Sequence, residues 1–234
     1  MRYNNIALGE FVDRPNRFIA HVLLGGELLT VHVKNTGRCR ELLKAGCQVY
    51  LCESNNMSRK TRFDLVAVCK EYDDGRCEIV NIDSQMPNEV AYEWLSGGNL
   101  FSSSAVIKRE VTFGKSRFDL YVEDGDRRAF IEVKGVTLEK DGIAMFPDAP
   151  TERGIKHIKE LISAASLGYE AYIMFVIQMK GVRLFKPNFE THRAFGEVIS
   201  EAKKAGVNIL AYDCIVEPDS LEIDSPIKVE TEEI

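Results

Sequence analysis

At 234 residues, 45% apolar and 28% charged, the chain has the composition of an ordinary globular protein and room for one large domain or two small ones. No stretch is apolar for long enough to cross a bilayer as a helix, and Met1–Asn5 opens no signal-like run, so a cytoplasmic protein without a membrane partner is expected. The net charge of −6 argues against nucleic acid at first sight, but residues 1–82 carry 12 Lys and Arg against 10 Asp and Glu, residues 83–212 carry 17 against 18, and residues 213–234 carry 1 against 8. The acidity therefore belongs to the C-terminal tail. Six scattered cysteines (Cys39, Cys47, Cys52, Cys69, Cys77 and Cys214) form no C-x-x-C pair, and no His stands at zinc-site spacing. Reduced, mostly buried thiols are expected.

Residues 1–82 read as short strands between turn signals. Arg17–Leu24 and Glu27–Val33 flank the hairpin dipeptide Gly25-Gly26, and Gln48–Cys52, Phe63–Cys69 and Arg76–Asn81 follow. One short helical piece, Cys39–Lys44, lies between Gly37 and Gly46. About five strands and a small helix suggest a compact barrel of the OB type. Two polar stretches stand out in it: Asn35-Thr36-Gly37-Arg38 and Arg59-Lys60-Thr61-Arg62. Glycine and small polar residues let a phosphate approach the backbone, and Arg and Lys add charge-assisted hydrogen bonds. Asn35, Thr36, Arg38, Arg59, Lys60 and Arg62 are therefore candidate nucleic-acid contacts, against the plainer reading of a tight turn and a solvated basic loop.

Asn81–Asn88 reads as a linker into a helix from Asn88 to about Leu95, with Pro87 at its start and Asn88 as cap. Val90 and Trp94 fall one turn apart and mark its packed face. Gly97-Gly98-Asn99 ends it, and Ala105–Phe113 starts a sheet. Ser116–Val122 and Ala129–Lys134 then alternate apolar and polar residues around Asp124-Gly125, a hairpin signal. Alternation sets Arg117, Asp119 and Tyr121 on one face, and Phe130, Glu132 and Lys134 on one face of the partner strand. A two-residue loop at Asp124-Gly125 makes paired numbers sum to 249 and a four-residue loop makes them sum to 251; both sums are odd, so Asp119 shares a face with Glu132 in either register. Like charges side by side on a sheet are unfavourable unless a proton or a cation lies between them. Mg²⁺ or Mn²⁺, held by one or two carboxylates and a substrate phosphate, resolves that conflict. Lys134 follows on the same face, where it could orient a water or meet a phosphate oxygen. The bland alternative is a salt-bridged surface hairpin.

Asp141–Pro150 reads as a loop closing over that face. A helix from about Thr151 to Leu167 has Ile155, Ile158, Ile162 and Ala165 as its core stripe, with Arg153 and His157 on the opposite side near an N-terminus that favours anions. Ala171–Gln178 is apolar throughout, like a central parallel strand. The helix His192–Ala205 stops at Gly206, and Val207–Tyr212 is the last expected strand, before an acidic tail that is mobile at its end.

The run Glu132-Val133-Lys134-Gly135-Val136-Thr137-Leu138 into Phe146-Pro147-Asp148-Ala149-Pro150-Thr151-Glu152-Arg153-Gly154 resembles the SfsA family, the "sugar fermentation stimulation" proteins. The likeness extends through almost the whole chain, and the N-T-G and R-K-T-R stretches match that family's first domain. It implies an α/β fold: an OB-like barrel over 1–82 and, over 83–234, a mixed-sheet domain similar to PD-(D/E)xK restriction-endonuclease-like nucleases. It further implies that Glu93, which matches the family's acid after its L-P-N motif, joins Asp119, Glu132 and Lys134 as a catalytic group; Asp119 and Glu132 are then the metal ligands for Mg²⁺ or Mn²⁺. Glu110 also matches a family Glu. Two departures, Met179-Lys180 where the family continues with Arg and Asp, and His192-Arg193 where it tends to Asp-Pro, imply altered substrate contacts. The implied function is a DNA-binding protein with metal-dependent phosphodiester hydrolysis, with Arg153 and His157 on neighbouring phosphates. The competing readings are a non-catalytic DNA-binding regulator of sugar-metabolism genes and a plain interaction scaffold. The partner expected is DNA, with RNA, branched and single-stranded forms as further candidates and a homodimer left open.

Overall fold

In a computed structural model, all residues except Thr36, Met57, Asp73, Asp74 and Ile234 are described. The N-terminal part is a barrel of β1 (Ile6–Asn16), β2 (Ile19–Leu24), β3 (Glu27–Val33), β4 (Gln48–Glu53) and β5 (Phe63–Glu71), with β6 (Cys77–Asn81) as a hairpin extension of β5. All neighbours are antiparallel except β3 and β5, which close the ring in parallel through His32–Asp64 and Val33–Leu65. Inward residues such as Val22, Val31, Val49, Leu51, Leu65 and Val68 are fully buried, as the period-two pattern requires. The eleven-residue β1 was not expected: Gly9 and Pro15 weaken its strand signal, and register shifts on either side of Asp13 break its alternation. The expected helix at Cys39–Lys44 is a single turn, in which Leu42 and Leu43 N–H groups both reach the Cys39 carbonyl (3.2 and 2.9 Å). The expectation of six thiols is corrected as well. Cys69 on β5 and Cys77 on β6 are diagonal neighbours, Cα atoms 5.6 Å apart, and are joined as a disulfide.

The second part begins with α1 (Met86–Ser96), whose N-cap is Gln85. Its main sheet contains β7 (Val106–Phe113), β8 (Ser116–Asp124), β9 (Arg127–Val136), β12 (Glu170–Ile177), β14 (Asn208–Glu217) and β15 (Ser220–Pro226), in the order β15-β14-β12-β9-β8-β7. The central strands β9, β12 and β14 are parallel; the edges are antiparallel hairpins. α2 (Glu152–Ser166) and α3 (Arg193–Lys204) cover one face, and α1 packs on the other. That double cover explains why β12 is apolar at every position after its first. A smaller sheet, β10 (Leu138–Lys140), β11 (Ile143–Phe146), β13 (Leu184–Pro187) and β16 (Lys228–Val229), takes up much of the stretch expected to be a loop. Much of the acidic tail is built into the fold, because Leu221 and Ile223 alternate with Glu222 and Asp224 and bury themselves beneath α1; the end expected to be mobile, Ile234, lies outside the described residues. Among the described residues no helix is long and apolar enough to cross a membrane.

Thr151 caps α2: its hydroxyl accepts the Gly154 N–H at 3.0 Å. One apolar cluster runs from the barrel (Val33, Leu43, Val80) into the α/β part (Ile177, Met179, Val182), so the two parts share a core.

Candidate active site

The β8–β9 ladder pairs Leu120 with Ile131 and Asp124 with Arg127, the register in which paired numbers sum to 251, around a Gly125-Asp126 turn. Ladder pairing stops at Leu120, and there the Asp119 side chain takes over. Its Oδ2 accepts the Val133 N–H at 2.8 Å, and its Oδ1 accepts from Asn88 Nδ2 of α1 at 2.9 Å. The carboxylate thus caps the first amide of β9 that loses its strand partner, which fixes it beside Glu132.

The simple alternation expected for β8 is corrected at this point. Phe118 and Tyr121, three residues apart, both stack on Phe130, with ring centroids at 5.3 and 4.8 Å, while Leu120 and Val122 face α1. The cause lies across the ladder: pairing skips Glu110 and Asp119, and Glu110 adopts φ +54°. A left-handed backbone at a non-glycine residue costs free energy and re-aims the strand. It lets Asp119 sit between the two faces of the sheet, within reach of both α1 and β9.

Glu132 is 2% exposed. Its Oε1 receives Lys134 Nζ and, at 2.5 Å, His157 Nδ1 from α2. Arg153 Nε donates to His157 Nε2 at 3.4 Å, which leaves the imidazole proton on Nδ1, aimed at Glu132. Glu132 Oε2 is buried and has no hydrogen-bond partner. Burial alone would raise the Glu132 pKa, but the His157 hydrogen bond and the Lys134 charge outweigh it and hold the carboxyl below its ordinary value. Asp119 shifts the other way: burial first, then the charge of Glu132, raises it above the usual carboxylate value. The two acids are thus pushed apart by their surroundings, a pattern that marks functional carboxylates.

Asp119, Glu132 and Lys134 come together as expected, with His157 and Arg153 behind them. His157 was expected on the solvent side of α2; it is 7% exposed because the helix buries two faces, one on the sheet and one toward α3. Asn88 was read as a helix cap, but with the helix beginning at Met86 it lies within the first turn and reaches Asp119. Glu93 is not brought to this group. It is an exposed side chain whose Oε2 meets the Met1 amine at 2.6 Å. Among the described residues no group of three or more His, Cys, Asp or Glu is assembled to hold a metal. Two carboxylates with an orphaned oxygen still fit a hard divalent cation, which keeps waters and takes phosphate oxygens as its remaining ligands.

The barrel candidates divide. Arg59 grips the buried Asp64 (2.6 and 3.0 Å), which also meets His32 at 2.9 Å and Lys34 at 3.2 Å. Burial would raise the Asp64 pKa, but Arg59, His32 and Lys34 hold it down to about 2. Arg62 pairs with Glu53 at 2.7 Å. These two cations lock the barrel seam and its adjoining loop. Asn35 likewise bonds inward, donating to the Ile82 carbonyl (2.8 Å) and accepting the Gly37 N–H (2.7 Å). Lys60 and Arg38 point outward with part or all of their surface open to solvent, and Thr36 lies outside the described residues. Arg59→Ala should therefore destabilise the fold by about 1.5–3 kcal/mol, the scale of hydrogen bonds to a charged group, without weakening nucleic-acid binding. Chemical denaturation beside a binding titration checks this; lost affinity at unchanged stability would reverse the assignment.

Between barrel and α/β part lies a cleft of about 350 Å³, bounded by Asn35 and Gly37 on one side and Gly135–Leu138, Asp148 and Thr151 on the other. Gly135, the residue after Lys134, lines it. Gly135 cannot be replaced here without movement, since a Cβ would stand 2.6 Å from Gln178 Oε1 and from Pro87.

Fold and site define an OB barrel joined to a restriction-endonuclease-like α/β part with a two-carboxylate, one-lysine pocket. The sequence matches the "SfsA N-terminal OB domain" over residues 12–82 and the "Sugar fermentation stimulation protein RE domain" over residues 85–220. The chain belongs to the SfsA, or sugar fermentation stimulation, family. It is 53% identical over 229 residues to a sugar fermentation stimulation protein homolog of Ruminiclostridium cellulolyticum, covering 98% of this chain and 99% of the relative. It is 54% identical over 222 residues to a homolog of Desulfitobacterium hafniense, covering 95% of each. The solved structure of Pyrococcus furiosus SfsA in complex with Ca²⁺ is similar with a TM-score of 0.84 at 29% identity, over 98% of both chains.

Proposed function

We propose that the protein is a cytoplasmic nucleic-acid-binding phosphodiesterase dependent on Mg²⁺ or Mn²⁺. The observation that carries this reading is the buried, unpartnered Oε2 of Glu132 next to the Asp119 carboxylate. Leaving such an oxygen unpaired costs free energy that a cation would recover. A relative of the same fold was solved with Ca²⁺, another hard cation that takes oxygen ligands.

In this reading Asp119 and Glu132 Oε2 hold the ion, whose chemistry is to polarise a phosphate oxygen and neutralise developing charge. Asn88 and the Val133 amide fix the Asp119 carboxylate, and His157 holds Glu132 Oε1 so that Oε2 is left for the ion. Lys134 exchanges its hold on Glu132 for the attacking water or a non-bridging oxygen. The water oxygen forms the new bond to phosphorus as the bond to the leaving oxygen breaks; the water proton passes to solvent, and the leaving oxygen takes up a proton from solvent to become a hydroxyl. Arg153, exposed in the first turn of α2, takes an adjacent phosphate.

The test is to incubate wild type, Asp119→Asn and Lys134→Ala with Mg²⁺ or Mn²⁺ and single-stranded, duplex and branched DNA and RNA. Cleavage should fall by at least about 100-fold in both variants, the scale for losing one charge-stabilising group, while binding persists. Equal behaviour of the three proteins would instead leave a nuclease fold used only as a DNA platform.

A further inference from the structure

Arg14, near the end of β1, donates to the carbonyls of Arg17 (2.8 Å), Asn35 (2.6 Å), Gly37 (2.8 Å) and Arg38 (2.9 Å). It staples the β1–β2 turn to the loop after β3. The staple gathers Arg17, Arg38 and Arg40 around one groove of about 500 Å³ at the end of the barrel. All three are exposed, and among the described residues none has an acid partner. The one acid lining the groove, Asp13, is bonded to His21 at 2.7 Å. Elsewhere on this acidic protein Arg59, Arg62, Arg109, Arg127 and Arg193 all pair with carboxylates. Three unmatched guanidinium groups converging on one groove call for an anion.

Beside them Phe18, 46% exposed, carries the Arg17 guanidinium over its ring at 4.8 Å from the centroid. A half-exposed aromatic among arginines is a stacking platform for an unpaired base. Gly37 lines both this groove and the cleft between barrel and α/β part, so the two adjoin. The cleft walls carry Asp148 and no Lys or Arg, which suits base edges bearing N–H donors while phosphates face outward.

We propose that the substrate is a single strand of nucleic acid that stacks on Phe18, lies along Arg17, Arg38 and Arg40, and passes Gly37 to the Asp119–Glu132 pocket. This rests on the phosphodiesterase reading for its endpoint. A duplex offers Phe18 no free base face, because its bases are already stacked on one another.

The experiment measures binding of the full chain in EDTA, by anisotropy of a labelled 15-mer and of the same oligonucleotide as a blunt duplex. Wild type should prefer the single strand. Phe18→Ala should weaken single-strand binding about tenfold and duplex binding little, as base–aromatic stacking implies. The double variant Arg38→Ala/Arg40→Ala should reduce the slope of log K against log salt by about 1.4, or 0.7 for each phosphate no longer neutralised. Matching melting temperatures show that the variants fold. Duplex preference in the wild type, no binding at all, or unchanged affinity in both variants would overturn the proposal. Because no metal is present, its failure is separate from that of catalysis: metal-dependent cleavage abolished by Asp119→Asn would stand even if the platform variants bound normally.

Discussion

Replacing Glu132 by alanine should lower the melting temperature by about 6–20 °C, the largest stability loss expected from any single change in the pocket. Glu132 is the hub on which Lys134 and His157 converge, and it is 2% exposed. Removing one member of a buried ion pair strands the other, at a cost of about 3–5 kcal/mol. Each kcal/mol shifts the midpoint of a chain this size by about 2–4 °C. Glu132→Gln should lose less, since its oxygen still accepts from His157. The pH dependence follows from the depressed pKa: the contribution of Glu132 is present above its unfolded value and is lost as pH falls through the folded one. Calorimetry from pH 7 downward reads both effects, and a shift under about 2 °C for the alanine variant would remove Glu132 from the centre of this account.

Asp119→Asn should do the opposite and raise the melting temperature of the metal-free protein by several degrees near neutral pH. The folded-state pKa of Asp119 is raised by burial and by Glu132, so ionising it disfavours the folded state. That penalty is absent below the unfolded pKa and grows as pH rises toward the folded value. The gain from the amide should therefore shrink as the pH falls to the ordinary carboxylate range, about 4. Mg²⁺ should stabilise the wild type and close the gap from the other side. The Asn88 amide can turn to offer its oxygen, so the amide introduced by Asp119→Asn need not forfeit both hydrogen bonds. A variant that melts below wild type in EDTA at every pH would mean that the two acids do not strain the apo fold. A stabilising change at a buried carboxylate is the usual sign of a site built for function.

What the sequence discloses follows its periodicity. The strand–turn–strand pattern around Gly25-Gly26 and the alternation of Ala129–Lys134 locate the barrel hairpin and β9, because there each side chain answers only to an inside and an outside. The apolar run at Ala171–Ile177 likewise gives away the central strand. Periodicity fails where the backbone departs from it. β1 is broken by irregular pairing around Asp13, and β8 changes face at Asp119 because of the left-handed Glu110 opposite. Acidic composition hides β15, although Leu221 and Ile223 are spaced as a strand requires. Asp119, Glu132 and Lys134 are legible as a motif, yet the residues that hold them in place are not. Asn88 needs the true start of α1, and His157 needs the knowledge that α2 is covered on two sides. Charge counting misled most in the R-K-T-R stretch, since Asp64 and Glu53, which absorb Arg59 and Arg62, come close only when the barrel closes.

Gln178, one residue past the central strand, donates to Asn81 Oδ1 (2.8 Å) and to the Asp83 carbonyl (3.1 Å), while the Asn81 N–H returns to the Gln178 carbonyl (3.0 Å). This clasp is buried and continuous with the apolar cluster shared by both parts. Swinging the barrel away would expose oil and orphan amides at once. The protein is thus built as a vice already set to its working gap rather than as jaws on a pivot.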